Sequence, residues 1–169
     1  MKILAVQSRM GIGDTVIFLP FIKALSKKFN SPISILVKEN SKANQYLHQT
    51  KYIDKILTLE RDNKTNNRHS GFFGIFKLAN DLKKYKFDKI FIFNSSLRFN
   101  LIAKISGIPQ IYQYPLFTKN KQHIIEAPKK FLKENLDLDI NEDPEVNIDN
   151  DSISKACLLY TSDAADDLL

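Results

Sequence analysis

A carboxylate follows two closely spaced glycines near the start of this 169-residue chain. Asp14 comes after Gly11 and Gly13, between an apolar run at 1–6 and an amphipathic run at 15–25. Because glycine lacks a Cβ, the backbone at both positions can adopt positive φ and approach a ligand or a neighbouring element closely. Asp14 then has two interpretations. Its carboxylate caps the helix that follows, or it is a functional carboxylate held at the mouth of a pocket by the same turn.

Basic side chains form a second set of candidates. Residues 60–70 are polar throughout and include Arg61, Lys64 and Arg68, together with His69. This composition is typical of a solvated, mobile loop. Arginine or lysine on the rim of an α/β sheet would also bind phosphate by charge-assisted hydrogen bonds, so the three cations are candidate substrate ligands.

Arg98 is a further candidate phosphate ligand. It follows a turn at 94–96 and falls in the first turn of a predicted helix, where a cation is unfavourable unless an anion lies nearby. Lys104 lies nearly two turns further along and lacks that argument, and a solvated helix face is the alternative for both residues. We expect no metal site, because no ligand-spaced cluster joins the scattered histidines, which are His48, His69 and His123.

Strands and helices alternate along the chain. Apolar runs predict strands at 2–6, 32–37, 55–59, 88–93 and 111–114. Helical patterns lie at 16–29, 41–48, 72–85, 97–105 and 124–135. The alternation predicts an α/β fold, a Rossmann-like parallel sheet with helices on both faces. Pro20 lies inside the first helical pattern and predicts a kink or a restart there.

The charge balance narrows the choice of partners. The chain has 25 Lys and Arg against 19 Asp and Glu, a net charge of +6. This favours phosphorylated sugars, acidic lipid headgroups or nucleic acid, and we disfavour nucleic acid because we recognise no nucleic-acid-binding module. No apolar run reaches the length of a membrane span or forms a secretory signal, so we expect a cytoplasmic protein.

The carboxyl terminus differs in composition from the rest of the sequence. Residues 157–166 (CLLYTSDAAD) resemble the translation of a transposase-type sequencing adapter. We therefore exclude 157–169 from fold reasoning and place one domain at about 1–150, although a genuine terminal helix is the alternative. The only cysteine, Cys157, lies in this tail, so the remaining chain offers no disulfide or thiolate site.

Several motifs, in their order along the chain, resemble those of glycosyltransferase family 9, the bacterial ADP-heptose:lipopolysaccharide heptosyltransferases and their relatives. The resemblance covers about 1–147. It consists of Gly11, Ile12, Gly13 and Asp14, the spaced Leu19, Pro20 and Leu25, the segments 37–39, 52–59 and 94–107, and the pair His123 and Glu126.

The resemblance implies the N-terminal, acceptor-side half of a GT-B glycosyltransferase whose C-terminal donor-binding domain is missing. It implies inverting transfer of heptose, or a related sugar, from a nucleotide-diphosphate sugar such as ADP-heptose to a lipopolysaccharide core acceptor. Asp14 would be the general base, and no cofactor would be needed. The implied acceptor is a phosphorylated lipid-sugar, so we expect the protein to make peripheral contact with the inner face of the inner membrane. We also expect a monomer. The residues expected to bind substrate are Gly11, Gly13, Arg61, Lys64, Arg68 and Arg98.

Two alternatives from other classes remain open. Gly11 and Gly13 follow a strand and Glu39 ends the next, as in a dinucleotide-binding Rossmann domain. That fingerprint expects a third small residue where this chain has Val16. The second alternative is a non-catalytic domain that binds a sugar or a lipid phosphate, which the fold alone does not exclude.

Overall fold

A computed structural model describes residues 1–9, 11–61, 67–115 and 124–146, together with residue 154. The strands are β1 (Ile3–Val6), β2 (Ile33–Lys38), β3 (Ile53–Leu59), β4 (Lys89–Ile92) and β5 (Gln110–Gln113). The helices are α1 (Ile12–Phe29), α2 (Ala43–Tyr46), α3 (Phe73–Lys83), α4 (Leu97–Ile105) and α5 (Glu126–Leu136). Among the described helices, none combines the length and the apolar character needed to cross a membrane.

The five strands form one parallel sheet in the order β3-β2-β1-β4-β5. The central strand β1 pairs on both sides, with Ile3 opposite Ile33 of β2 and Lys89 of β4. The predicted Rossmann-like α/β fold is therefore confirmed. Strand order reverses between β1 and β4, and ligands of open α/β sheets bind beyond the carboxyl ends of the strands at such a point.

Apolar residues are buried on both faces of the sheet. Ile3 and Ala5 belong to the core beneath α1 and α5, whereas Leu4 and Val6 belong to the core beneath α3 and α4. Successive strand side chains alternate between faces, and here helices cover each face. This is why β1 is apolar at every position rather than at alternate ones.

Helix α1 begins four residues earlier than the sequence pattern predicted. Its N-cap is Gly11, at φ 107° and ψ 159°, so Gly13 and Asp14 lie inside its first turn. Gly11 therefore uses the positive φ that glycine permits, whereas Gly13 is helical. The helix also continues through the buried Pro20 to Phe29, so the expected restart does not occur.

Helix α2 is shorter than the predicted helix at 41–48. A 3-10 turn at Glu39–Ser41 precedes it, and Lys42 adopts φ 48° between the two elements. A left-handed residue cannot continue a right-handed helix, so only four residues, Ala43–Tyr46, remain helical.

Candidate active site

Gln7 fixes the connection between β1 and α1. Its side chain is buried, and its Oε1 accepts a hydrogen bond from the backbone N–H of Arg9 at 2.5 Å. Its Nε2 donates to the backbone carbonyl of Asp14 at 3.2 Å. The backbone N–H of Gln7 also donates to the carbonyl of Leu36 on β2 at 3.0 Å. One side chain thus holds the first turn of α1 at the carboxyl end of β1.

The carboxylate of Asp14 is half-buried in that first turn. It makes no hydrogen bond or ion pair with any residue that the structure describes, and the helix has no side-chain cap. The interpretation of Asp14 as the helix cap is therefore wrong, because Gly11 occupies that position. The positive end of the helix dipole stabilises a carboxylate here, and its oxygens remain available to a ligand.

The two glycines leave space beside this carboxylate. A Cβ built on Gly11 would stand 3.8 Å from Oδ2 of Asp14, and a Cβ on Gly13 would meet nothing within 4 Å. No packing requirement therefore explains the glycine at position 13, although glycine weakens a helix. The open space is suited to an incoming ligand.

An amide network joins the loops that follow β1 and β4 to the last residue of β5 and to helix α4. Asn94 donates from Nδ2 to Oγ of Ser8 at 2.5 Å and accepts the N–H of Ser96 at 2.7 Å. Gln113 donates from Nε2 to the carbonyls of Asn94 at 3.0 Å and Ser96 at 2.9 Å. Its Oε1 accepts from Nδ2 of Asn100 at 2.8 Å. The network crosses the point at which the strand order reverses.

A cavity of about 650 Å³ opens beside this network, between the ends of β4 and β5 and helix α5. Its aromatic wall includes Tyr114, whose ring meets that of Phe131 edge-on at 5.0 Å. The Tyr114 hydroxyl is buried and has no hydrogen-bond partner among the residues that the structure describes. Burial raises its pKa against the opposing charge of Arg9. Arg9 and Lys130 add cations to the lining. An aromatic wall with amides and cations suits a sugar bearing a phosphate or a carboxylate.

His69 anchors the segment between β3 and α3. It is 4% exposed, and its Nδ1 accepts the N–H of Glu60 at 3.1 Å, while its own backbone N–H donates to the Glu60 carbonyl at 2.9 Å. Its Nε2 therefore carries the proton and donates to Oδ2 of Asp81, at 3.3 Å. The expectation of a solvated segment is therefore wrong at His69, which is buried. Residues 62–66 of that segment lie outside the described residues.

Asp81 also forms ion pairs with two basic residues near His69. Arg68 forms an ion pair with it at 2.8 Å and Lys84 at 3.2 Å. Burial raises the pKa of the Asp81 carboxyl, but the hydrogen bonds from His69 and Lys84 and the charges of Arg68 and Lys84 outweigh burial and lower it. Asp81 is therefore an ionised structural centre of this segment.

The basic residues predicted to bind substrate differ from one another in what they contact. Arg98 donates to the carbonyl of Gly71 at 2.8 Å and to that of His69, so Arg68 and Arg98 both hold the segment 67–71. Arg61 is half-buried just after β3, and Lys64 lies outside the described residues. Their binding to substrate stays a prediction.

Gln7, Gln113 and His69 were missed as structural anchors by the sequence analysis. Each is a polar residue at the carboxyl end of a strand or in the loop that follows one. That position is the only feature of the sequence that could have indicated a structural role. Their partners lie in different elements or are backbone groups, so composition and periodicity do not identify them.

The fold matches one half of solved glycosyltransferases of the GT-B fold. The structure is similar to the glycosyl transferase family 9 protein from Veillonella parvula DSM 2008, with a TM-score of 0.74 and 18% identity over 95% of this chain and 49% of that one. It is also similar to Escherichia coli ADP-heptose lps heptosyltransferase II, with a TM-score of 0.64 and 14% identity over 95% and 50%.

A third neighbour is E. coli heptosyltransferase WaaC with ADP-2-deoxy-2-fluoro heptose, at TM-score 0.54 and 11% identity over 84% of this chain and 50% of that one. The chain thus spans about half the length of these proteins. No protein-family model and no curated protein matches the sequence. At these identities the similarity establishes the fold, and it confirms the glycosyltransferase fold that the motifs predicted.

Proposed function

We propose that this chain is the acceptor-side half of an inverting sugar transferase in which Asp14 is the general base. The observation that carries the proposal is the Asp14 carboxylate, which is half-buried beside two glycines and makes no bond to the described residues. It lies at the carboxyl edge of a sheet whose fold matches glycosyltransferases.

The proposed reaction is an in-line displacement at the anomeric carbon of the donor sugar. The acceptor hydroxyl forms the new C–O bond as the bond to the nucleotide diphosphate breaks on the opposite face. The hydroxyl proton passes to an Asp14 oxygen, and the diphosphate leaves with the electron pair. Because the helix N-terminus stabilises the carboxylate, proton transfer comes late, after bond formation has acidified the hydroxyl.

The acceptor is a phosphorylated lipid-sugar of the lipopolysaccharide core, and the donor is ADP-heptose or a related nucleotide sugar. The cavity beside Tyr114 would take a sugar unit, with Arg9 and Lys130 meeting its anionic groups. Arg61 and Lys64 remain candidates for phosphate. Arg68 and Arg98 would act by positioning the segment 67–71, since both already bind protein groups there.

No metal or other cofactor is part of the proposed reaction. We expect donor binding to depend on the half of such transferases that this chain does not span. This chain alone should therefore bind an acceptor but transfer no sugar. The protein would work as a monomer in the cytoplasm, at the inner face of the inner membrane.

The test of the base is Asp14→Asn in the complete protein that contains this segment. We expect kcat for sugar transfer to fall by about 10² to 10⁴-fold, the usual contribution of a positioned base. Asp143→Asn is a matched control, because Asp143 is exposed and lies outside the site. Full activity of Asp14→Asn would refute the base, and no sugar transfer by the unmodified complete protein would favour a binding domain.

A second test uses this chain itself. Calorimetric titration with a deacylated lipopolysaccharide core oligosaccharide should detect binding, whereas titration with ADP-heptose should not. Tight binding of ADP-heptose without binding of the oligosaccharide would contradict the assignment of this chain to the acceptor side.

A further inference from the structure

Helices α3 and α4 expose an unusual number of large apolar side chains. The residue Phe72 and the α3 residues Phe73 and Phe76 are exposed, Phe73 to 77%. On α4 the exposed apolar residues recur every four positions, at Leu97, Leu101 and Ile105. These six residues are here called the α3–α4 face. Large contiguous apolar patches on a protein surface mark an interaction site.

The face forms one surface because the two helices are fastened side by side. The Phe72 ring lies edge-on to the rings of Phe76 at 5.5 Å and Phe73 at 6.2 Å. Arg98, in the first turn of α4, donates to the carbonyl of Gly71, immediately before Phe72. At the other end, Oγ of Ser106 donates to the Ala79 carbonyl at 3.1 Å.

The charges on the same two helices are nearly all positive. They carry Lys77, Lys83, Arg98 and Lys104 against one carboxylate, Asp81. That carboxylate already pairs with Arg68 and Lys84. Lys77 follows Phe76 and Lys104 precedes Ile105 in the sequence, and both lysines are exposed.

This combination complements an anionic lipid bilayer. Aromatic and leucine side chains enter the boundary between headgroups and acyl chains, and lysines remain at the headgroup phosphates. A two-fold contact between two copies would instead place the same cations against each other. The charge therefore favours a lipid surface as the occupant.

The position of the face relates it to the candidate site. Helices α3 and α4 each follow a parallel strand, so Phe72, Phe73 and Leu97 lie toward the same carboxyl edge of the sheet as Asp14. We propose that the α3–α4 face docks this protein peripherally on an anionic bilayer, with the candidate site held near the membrane surface. The proposal deepens the membrane contact named in the proposed function by assigning it a surface, and it does not require sugar transfer to be correct.

A single-site fluorescence experiment tests the docking, because the chain contains no tryptophan. Phe73→Trp provides a reporter on the face. Lys28→Trp, at an exposed position near the end of α1 on the other side of the sheet, is the control. Vesicles of phosphatidylglycerol and phosphatidylethanolamine should shift the emission of Phe73→Trp to the blue and leave Lys28→Trp unchanged. Vesicles of phosphatidylcholine alone should shift neither.

Charge and apolar variants then test the cause of binding. In vesicle co-sedimentation, Lys77→Glu with Lys104→Glu should lower the partition coefficient about tenfold or more, since each surface cation adds to the attraction. Lys28→Glu with Lys51→Glu changes the net charge equally at exposed positions elsewhere and should have a much smaller effect. Phe72→Ser with Phe73→Ser should also abolish most binding.

Three outcomes would overturn the proposal. The first is an absence of any anionic-vesicle shift for Phe73→Trp. The second is an equal loss of binding in the two charge-reversed pairs. The third is a Phe73→Trp emission that is already blue without vesicles, which would show that another protein surface or a second copy covers the face. None of these measurements involves sugar transfer, so docking and the proposed activity fail separately.

Discussion

Alanine at Gly11 and at Gly13 should change the stability of this chain in opposite directions. Gly11 has φ 107° and ψ 159°, a backbone region that costs a residue with a Cβ about 1–3 kcal/mol. Gly13 is helical and its added Cβ would meet nothing within 4 Å. Gly13→Ala should therefore stabilise the fold by about 0.5–1 kcal/mol, because glycine weakens a helix and adds entropy to the unfolded chain.

Thermal unfolding followed by circular dichroism at 222 nm measures both changes. For a chain of this size, about 2–4 °C in Tm corresponds to 1 kcal/mol. Gly11→Ala should lower Tm by roughly 2–12 °C and Gly13→Ala should raise it by roughly 1–4 °C. In the complete protein, Gly13→Ala should nevertheless raise KM for the acceptor, because the methyl group enters the open space beside Asp14. Changes of the same sign at the two glycines would refute this account of the turn.

Three further substitutions test other parts of the structure. Gly74→Ala should destabilise the chain by about 1–3 kcal/mol in urea unfolding, since an added Cβ would overlap the backbone of His69; an unchanged midpoint would contradict that close approach. Asp81→Asn should lower stability at pH 7. The pKa of Asp81 is lowered from 3.8, so its contribution is present above about pH 4 and is lost as the pH falls through the lower folded value. The difference from wild type should therefore shrink below pH 4, and a constant difference would count against the ion-pair role. Tyr114→Phe removes a buried hydroxyl that has no partner within the described part of the chain, so stability should stay equal or rise by up to about 1 kcal/mol; a clear loss would show a partner outside that part.

The α/β class and most element positions could be predicted from the sequence. Continuous apolar strands such as β1 are buried on both sides, and the helices between them follow the 3.6-residue pattern. Predicted bounds for α4 agree with the structure at both ends, and those for α5 lie within two residues. These features depend on local secondary-structure propensity and on the periodicity of apolar residues, and both can be read from a single sequence.

The start of α1 was harder to predict because glycine has poor helix propensity. Gly13 and Asp14 were expected in the preceding turn, but Gln7 binds the Asp14 carbonyl and the helix begins at Ile12. The low helix propensity of glycine disfavours this first turn of α1, and the hydrogen bond from the Gln7 side chain accompanies it. This shift changes Asp14 from a possible cap into a helical residue with an open carboxylate.

The sequence by itself determined the order of strands and helices, the excess of positive charge and the edge of the sheet at which Asp14, Arg61 and Arg98 must lie. Only the tertiary structure decided what each polar side chain binds. It placed Arg98 on backbone carbonyls, buried His69 against Asp81 and left the Asp14 carboxylate open. The physical reason is that periodicity records burial along one element, whereas a hydrogen bond depends on the distance between groups from elements far apart in the chain.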